Sequence, residues 1–170
     1  LNNTRQDNTP YVFTAEHCYD PSITAWRFVF DYQTTTCDGT TGPFNHYGIG
    51  ANVVARNDES DFMLLQITGA INDNYKPTLF LAGWDRSTTT PGVGAAIHHP
   101  GGDYKKFSKP RIVNPGNGGY TKFWQVGWLL GTNNKGTTEP GSSGSPLFNA
   151  QGYIVGSLCC GTSSCKYIDE

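Results

Sequence analysis

Apolar residues come along this chain in short runs broken by Gly, Pro and Asn, and no stretch holds a 3.6-residue rhythm. "YVFTA" (residues 11–15) is β-prone and stops just before His17, which places that histidine past a strand end. "AWRFVFDY" (25–32) alternates. Trp26, Phe28, Phe30 and Tyr32 fall on one face and Arg27, Val29 and Asp31 on the other, the pattern of a half-buried strand. "TTTCDGTTGPFNHYGIGA" reads as a loop rich in Thr and Gly, "ANVVA" as a short strand, and "SDFMLLQI" as an apolar run opened by Asp61. "INDNYKP" (71–77) is polar, ends in proline and separates two groups of strand-like runs. After it, "TLFLAGW", "VGAAIHH", "FWQVGW", "SPLF" and "YIVGSL" are each bounded by Gly, Pro or Asn. Two antiparallel β-barrels or sandwiches of roughly 75 to 95 residues each fit this spacing, divided as residues 1–74 and 75–170.

Composition points the same way. The 170 residues include 21 Gly, 10 Pro, 9 Tyr and 9 Phe with only 15% charged side chains, which suits short strands and tight turns, so the expected class is all-β. A net charge of −2 without any long Lys/Arg run gives no electrostatic footprint for nucleic acid or an anionic membrane, and neither is expected as a partner. No segment has the length of apolar sequence needed for a spanning helix, and Leu1 opens a polar stretch unlike a signal peptide. Five cysteines (Cys18, Cys37, Cys159, Cys160 and Cys165) lack zinc-ligand spacing, so disulfides in an exported protein are expected. Their odd number implies a free thiol, an intermolecular bridge or a missing piece of chain.

Three stretches carry residues that together make a nucleophilic site: His17 in "TAEHC", Asp61 in "SDF" and Ser143 in "GSSGSP". A serine hydroxyl needs a base for its proton, an imidazole is suited to take it, and a carboxylate on the other ring nitrogen fixes the tautomer. The chain order His, Asp, Ser is one of those used by serine hydrolases. The elbow pattern G-x-S-x-G is met only to its fourth position, since Ser145 stands fifth, and no helical pattern follows, so an α/β-hydrolase is not expected. His98-His99 invites a metal reading, but strand neighbours face opposite sides and no acidic or Cys cluster accompanies them. Both are expected to be structural and no metal is expected. His46 is expected to be solvated, Cys159-Cys160 to be buried packing residues, and the four tryptophans to serve core and barrel rim.

"TAEHC", "SDFMLL" and "PGSSGSP" resemble the three triad stretches of the chymotrypsin/trypsin family of serine endopeptidases. "DYQTTTC", "LAGWDR", "AAIHHP" and the "SSC" ending are similar to the bacterial lysyl endopeptidases within it, collinearly over nearly the whole chain. The resemblance implies two antiparallel β-barrels of the trypsin-like type, with His17 and Asp61 in the first and Ser143 and the specificity pocket in the second. By it, His17 is the general base, Asp61 its orienting carboxylate, and Ser143 the nucleophile. The amides of Gly141 and Ser143 form the oxyanion hole, and residues 156–161 line the first specificity pocket, with Cys159 at its wall and Gly161 pairing with substrate main chain.

Departures from the family pattern are informative. Ser142 replaces the aspartate that clamps a freed N-terminus in trypsin-type enzymes, so that activation route is not expected. Thr137 replaces the pocket aspartate of trypsin, and Cys159 stands where lysyl endopeptidases carry a histidine. Any basic preference is then assigned to Asp169, or to Glu170 or a carboxylate beyond it. The cysteines matching Cys18, Cys37 and Cys165 have upstream partners in that family. Together with missing first and last strands, this implies a fragment of a larger protease truncated at both ends. The implied function is a secreted bacterial serine endopeptidase, monomeric and without cofactor, cleaving protein or peptide substrates after Lys or Lys/Arg. Two alternatives stand beside it: a catalytically silent binding module on the same fold, and an inactive fragment of an active parent.

Overall fold

The computed structural model describes residues 1–71, 79–92, 94–116, 122–128 and 136–163. Among these the chain is all-β: eleven strands pair antiparallel into two open sheets and two ribbons, with three short 3-10 turns and no α-helix. The boundary segment at 72–77 lies outside the described residues.

The first sheet has the order β1 (Tyr11–Thr14), β5 (Phe62–Ile67), β4 (Ala51–Asn57). β5 is apolar at every position but Gln66, yet only alternate residues reach the core. Met63, Leu65 and Ile67 are buried while Phe62, Leu64 and Gln66 are half-buried, because period-2 geometry turns successive side chains to opposite faces. Met63 and Leu65 meet Ala51 and Ile23, and Val12, Trp26 and Phe28 close over this cluster. A bulge between Val53 and Ala55 leaves Val54 half exposed and twists β4.

β2 (Arg27–Val29) and β3 (Tyr47–Ile49) form a ribbon beside it. The expected strand over residues 25–32 is therefore short. Trp26 and Phe28 face the core as its alternation requires, but Asp31 takes a left-handed backbone (φ 52°) that ends the extended run and redirects Tyr32. Tyr32 then packs against Phe44, His99 and Tyr104, the last two from the other half of the chain.

The second sheet has the order β11 (Ile154–Ser157), β10 (Pro146–Phe148), β6 (Ala95–His98), β7 (Lys106–Ser108). β8 (Pro110–Pro115) and β9 (Trp124–Trp128) make the second ribbon, with prolines at both ends of β8 where they do least harm to the ladder. "TLFLAGW" departs from expectation: among its described residues only a bridge from Trp84 to Ile154 forms, and Phe80 is 91% exposed. An apolar run becomes a strand only where an edge is open to receive it.

Other expectations divide. The tryptophans run from buried Trp128 to half-exposed Trp84, whose indole N–H donates to the Asn2 carbonyl. His46 is partly buried and its carbonyl accepts from the Phe30 amide, so the solvated reading is corrected: the loop around it folds back as β3 against β2. Cys159 and Cys160 are not buried packing residues. They lie past the end of β11, half-buried and exposed respectively, and are joined by a disulfide between adjacent residues. Cys18 and Cys37 carry free thiols, and Cys165 lies outside the described residues.

Candidate active site

The expected base sits where β1 gives out. β1 ends at Thr14, Ala15 is fully buried, and the chain turns through a single 3-10 turn at Glu16–Cys18 that leaves the His17 side chain 47% exposed. Asp61 clamps this turn at three points. Its carbonyl accepts from the Glu16 amide (3.2 Å), Oδ1 accepts from the His17 amide (2.9 Å), and Oδ2 lies 2.8 Å from His17 Nδ1. Asp61 itself closes the turn before β5 with φ 48°, a left-handed conformation that Asp tolerates better than most residues and that tends to mark functional positions. Its side chain is only 14% exposed, so the pair is shielded from competing water on the carboxylate side. Outside the clamp, Arg56 lies 3.4 Å from the Glu16 carboxylate and stacks over the Tyr19 ring, bracing both flanks of His17.

The expected nucleophile lies on a tight turn whose amides are almost all engaged. Ser142 N–H donates to Glu139 O, Gly144 N–H to Leu158 O and Ser145 N–H to Ser142 O. The two exceptions are Gly141 and Ser143, whose amides donate to no described residue. Those are the two expected to form the oxyanion hole, which must stay unfilled to receive an anion. Two glycines make this turn possible. Gly141 has φ 93°, and a Cβ there would fall 2.7 Å from the Gly102 nitrogen; Gly144 has φ 81°, and a Cβ there would collide with Thr14 Oγ1 at 2.0 Å. The second contact brings the Ser143 turn against the end of β1, three residues before His17. Among the described residues no hydrogen bond links Ser143 to His17, as is common before substrate binds.

The same turn is stapled to the segment after β11, since Leu158 exchanges backbone bonds with Gly144 and Ser145. Leu158, Cys159 and Gly161 border a cavity of about 550 Å³ together with Trp124, Trp128 and Ser145. Gly161 is exposed and its backbone bonds no described residue, leaving it open to pair. Buried hydroxyls of Thr138 and Ser163, 3.2 Å apart, also line this space. Asp169 and Glu170, the expected pocket carboxylates, lie outside the described residues.

Three features of the structure add to the sequence expectations. His98 is buried at the end of β6 with Nδ1 2.9 Å from Ser142 Oγ and Nε2 2.8 Å from Ser108 Oγ, which agrees with a structural role. Its contacts reach the nucleophile turn, and the signal was there: the β6 alternation turns His98 inward with Ala96. His99 leaves the strand, stacks on Tyr32 and donates from Nδ1 to Asp103 O. The Cys18 thiol beside His17 is pushed up by burial and then by the Asp61 charge, which makes it a poor competitor as a nucleophile. No group of three or more His, Cys, Asp or Glu side chains is arranged to hold a metal among the described residues.

A family model described as lysyl endopeptidase, C-terminal domain, matches residues 1–170. The chain is also 30% identical to the lysyl endopeptidase of Pseudomonas aeruginosa, the alignment covering 97% of this chain. It spans 37% of that relative's length.

Proposed function

The chain belongs to the family of lysyl endopeptidase C-terminal domains, and from that premise we propose that it is the catalytic domain of a secreted bacterial serine endopeptidase. Ser143 Oγ attacks the scissile carbonyl carbon while His17 Nε2 takes its proton. Asp61 holds His17 with Nδ1–H toward Oδ2 and stabilises the imidazolium that forms. The oxyanion is received by the Gly141 and Ser143 amides. Collapse of the tetrahedral species expels the amine, protonated by His17, and leaves an acyl-enzyme on Ser143 that water then hydrolyses by the same steps in reverse roles.

The observation that carries this reading is the Asp61 clamp, with one carboxylate bound to both the His17 backbone and its Nδ1. A carboxylate that served only to end a turn has no need to reach the imidazole. The unengaged Gly141 and Ser143 amides are independent support. The two open sheets are read as portions of two trypsin-like barrels, residues 1–74 and 75–170, with the site in the seam between them. The contact of Gly144 with Thr14 supports that arrangement.

Protein or peptide is the substrate, taken by a monomer without cofactor. The name of the Pseudomonas relative supports cleavage after lysine. The proposed preference is Lys, or Lys and Arg, with Asp169 as the pocket carboxylate and Cys159 and Gly161 along the substrate's path. Chromogenic peptides ending in Lys, Arg and Phe test it in the complete protein. Hydrolysis of the Lys substrate that falls to background in Ser143→Ala is expected. Wild-type protein that cleaves none of the three, or a Ser143→Ala variant that cleaves as well as wild type, refutes it.

A further inference from the structure

His98 joins three parts of the chain that sequence distance keeps apart: its own strand β6, Ser108 on β7, and the loop that leads into the nucleophile turn. Proton counting fixes how. Ser108 Oγ donates its one proton to the Thr137 carbonyl (3.1 Å), so it must accept from His98 Nε2–H. Nδ1 is then an acceptor and takes the proton of Ser142 Oγ, which in turn accepts from the Glu139 amide at 3.3 Å. The opposite tautomer would break the bond to Thr137 and leave the Ser142 proton without an acceptor among the described residues, in a side chain that is fully buried. All four bonds run one way, from the Glu139 amide through Ser142, His98 and Ser108 to the Thr137 carbonyl. Gly136 packs directly on the Ser108 backbone and the Gly101 amide donates to the Pro140 carbonyl, so both ends of the 136–142 loop are anchored to the second sheet and its turn.

We propose that His98 is a positioning residue for the reaction: held as the Nε2–H tautomer between Ser142 and Ser108, it fixes the turn that presents the Gly141 and Ser143 amides. Its kinetic consequence rests on the endopeptidase reading, while the relay itself does not. Ser142 stands where trypsin-type enzymes use an aspartate paired with a freed N-terminus, and the relay supplies an internal substitute for that clamp. The imidazole is neutral at pH 7, because burial lowers its pKa and His99 acts in the same sense against Glu139. Lys106 and Lys109, flanking Ser108, are exposed.

The test compares His98→Leu with His98→Gln, which keeps one donor and one acceptor on a side chain that does not titrate. His98→Leu is expected to lower kcat by about 10- to 100-fold with KM within about twofold, and His98→Gln to retain most of kcat. Wild-type kcat in His98→Leu, or equal loss in both variants, overturns the proposal, the second because packing alone would then explain it. Should His98→Leu fail to fold, Ser108→Ala removes one hydroxyl on the side away from Ser143 and carries the same expectation. Nitrogen-15 NMR of the wild-type imidazole gives an arm independent of activity. A neutral Nε2–H ring for His98, with Glu139 and Ser142 amides that exchange faster in His98→Leu, supports the relay; an Nδ1–H ring or unchanged exchange in His98→Leu overturns it. Wild-type protein that fails to cleave while passing this arm refutes the endopeptidase reading and leaves the relay standing.

Discussion

Replacing Asp61 by Asn separates the carboxylate's chemical role from its place in the fold. Asn tolerates the left-handed backbone at this position (φ 48°) almost as well as Asp, so the turn before β5 should survive, whereas Ala would add strain of about 1 kcal/mol. The Asn oxygen can still accept from the His17 amide, now 2.9 Å from Oδ1. Its NH2 then faces Nδ1, which lies 2.8 Å from Oδ2 in the native pair. A donor there forces His17 into the tautomer with the proton on Nε2, which cannot take a proton from Ser143. The barrier should rise by about 4 to 5.5 kcal/mol, a drop in kcat of about 10³- to 10⁴-fold, with KM little changed. Stability should move by about 1 kcal/mol or less, because the interaction at a half-exposed histidine is screened. Steady-state hydrolysis of a Lys substrate, with urea unfolding of the same samples, measures both. A variant that folds normally and keeps kcat within about tenfold of wild type would show that Asp61 does not orient the base.

Gly141→Ala should cut kcat by about 10²- to 10³-fold, since a methyl at φ 93° collides with the Gly102 nitrogen and turns an oxyanion-hole amide away; wild-type turnover would argue against that hole. Met63→Ala, at a side chain with no exposed surface in the first core, should lower unfolding free energy by about 2–5 kcal/mol in denaturant titration, and a loss under about 1 kcal/mol would mean that the core is not organised around β5. Stability should fall as pH drops below about 6.5. His98 has a lowered pKa in the fold, so the unfolded chain takes up a proton near its ordinary value that the folded chain refuses until lower pH. Above that value neither state holds the proton and the contribution vanishes. Urea midpoints at pH 7.5 and 5.0 should diverge more in wild type than in His98→Gln, and identical pH slopes would refute the assignment. The depressed carboxylates Asp7, Asp20 and Asp103 lose their contribution only lower, below about pH 4, outside this window.

The strands that could be read from sequence are those that fall within an apolar run bounded by Gly, Pro, Asn or polar residues. β1, β4, β5, β6, β9, β10 and β11 each coincide with an expected run, and in β5 Met63, Leu65 and Ile67 show a buried face that repeats every second residue. β3 lies in the Gly-rich stretch read as a loop, β7 is a three-residue strand set among lysines, and the prolines of β8 hide its pattern. "TLFLAGW" failed in the opposite sense, because apolar character says nothing about whether a neighbouring edge is free.

The candidate site was read from short motifs, at His17, Asp61 and the Gly-rich turn around Ser143. What sequence could not supply is anything that depends on tertiary contact. The three-point Asp61 clamp needs β1 and β5 adjacent, and the His98 relay needs Ser108, Thr137 and Ser142 brought to one imidazole. Cys159 and Cys160 were read as packing residues because their types favour burial, yet position past the strand end decided otherwise.

The central claim is that Ser143 is a nucleophile activated by His17. Its most direct test is covalent: the complete protein is treated with a fluorophosphonate, digested, and the adduct located by mass spectrometry. The account predicts one adduct, on the peptide containing Ser143, absent in Ser143→Ala and formed far more slowly in His17→Ala. No adduct on folded wild-type protein, or one that persists in Ser143→Ala, would contradict it.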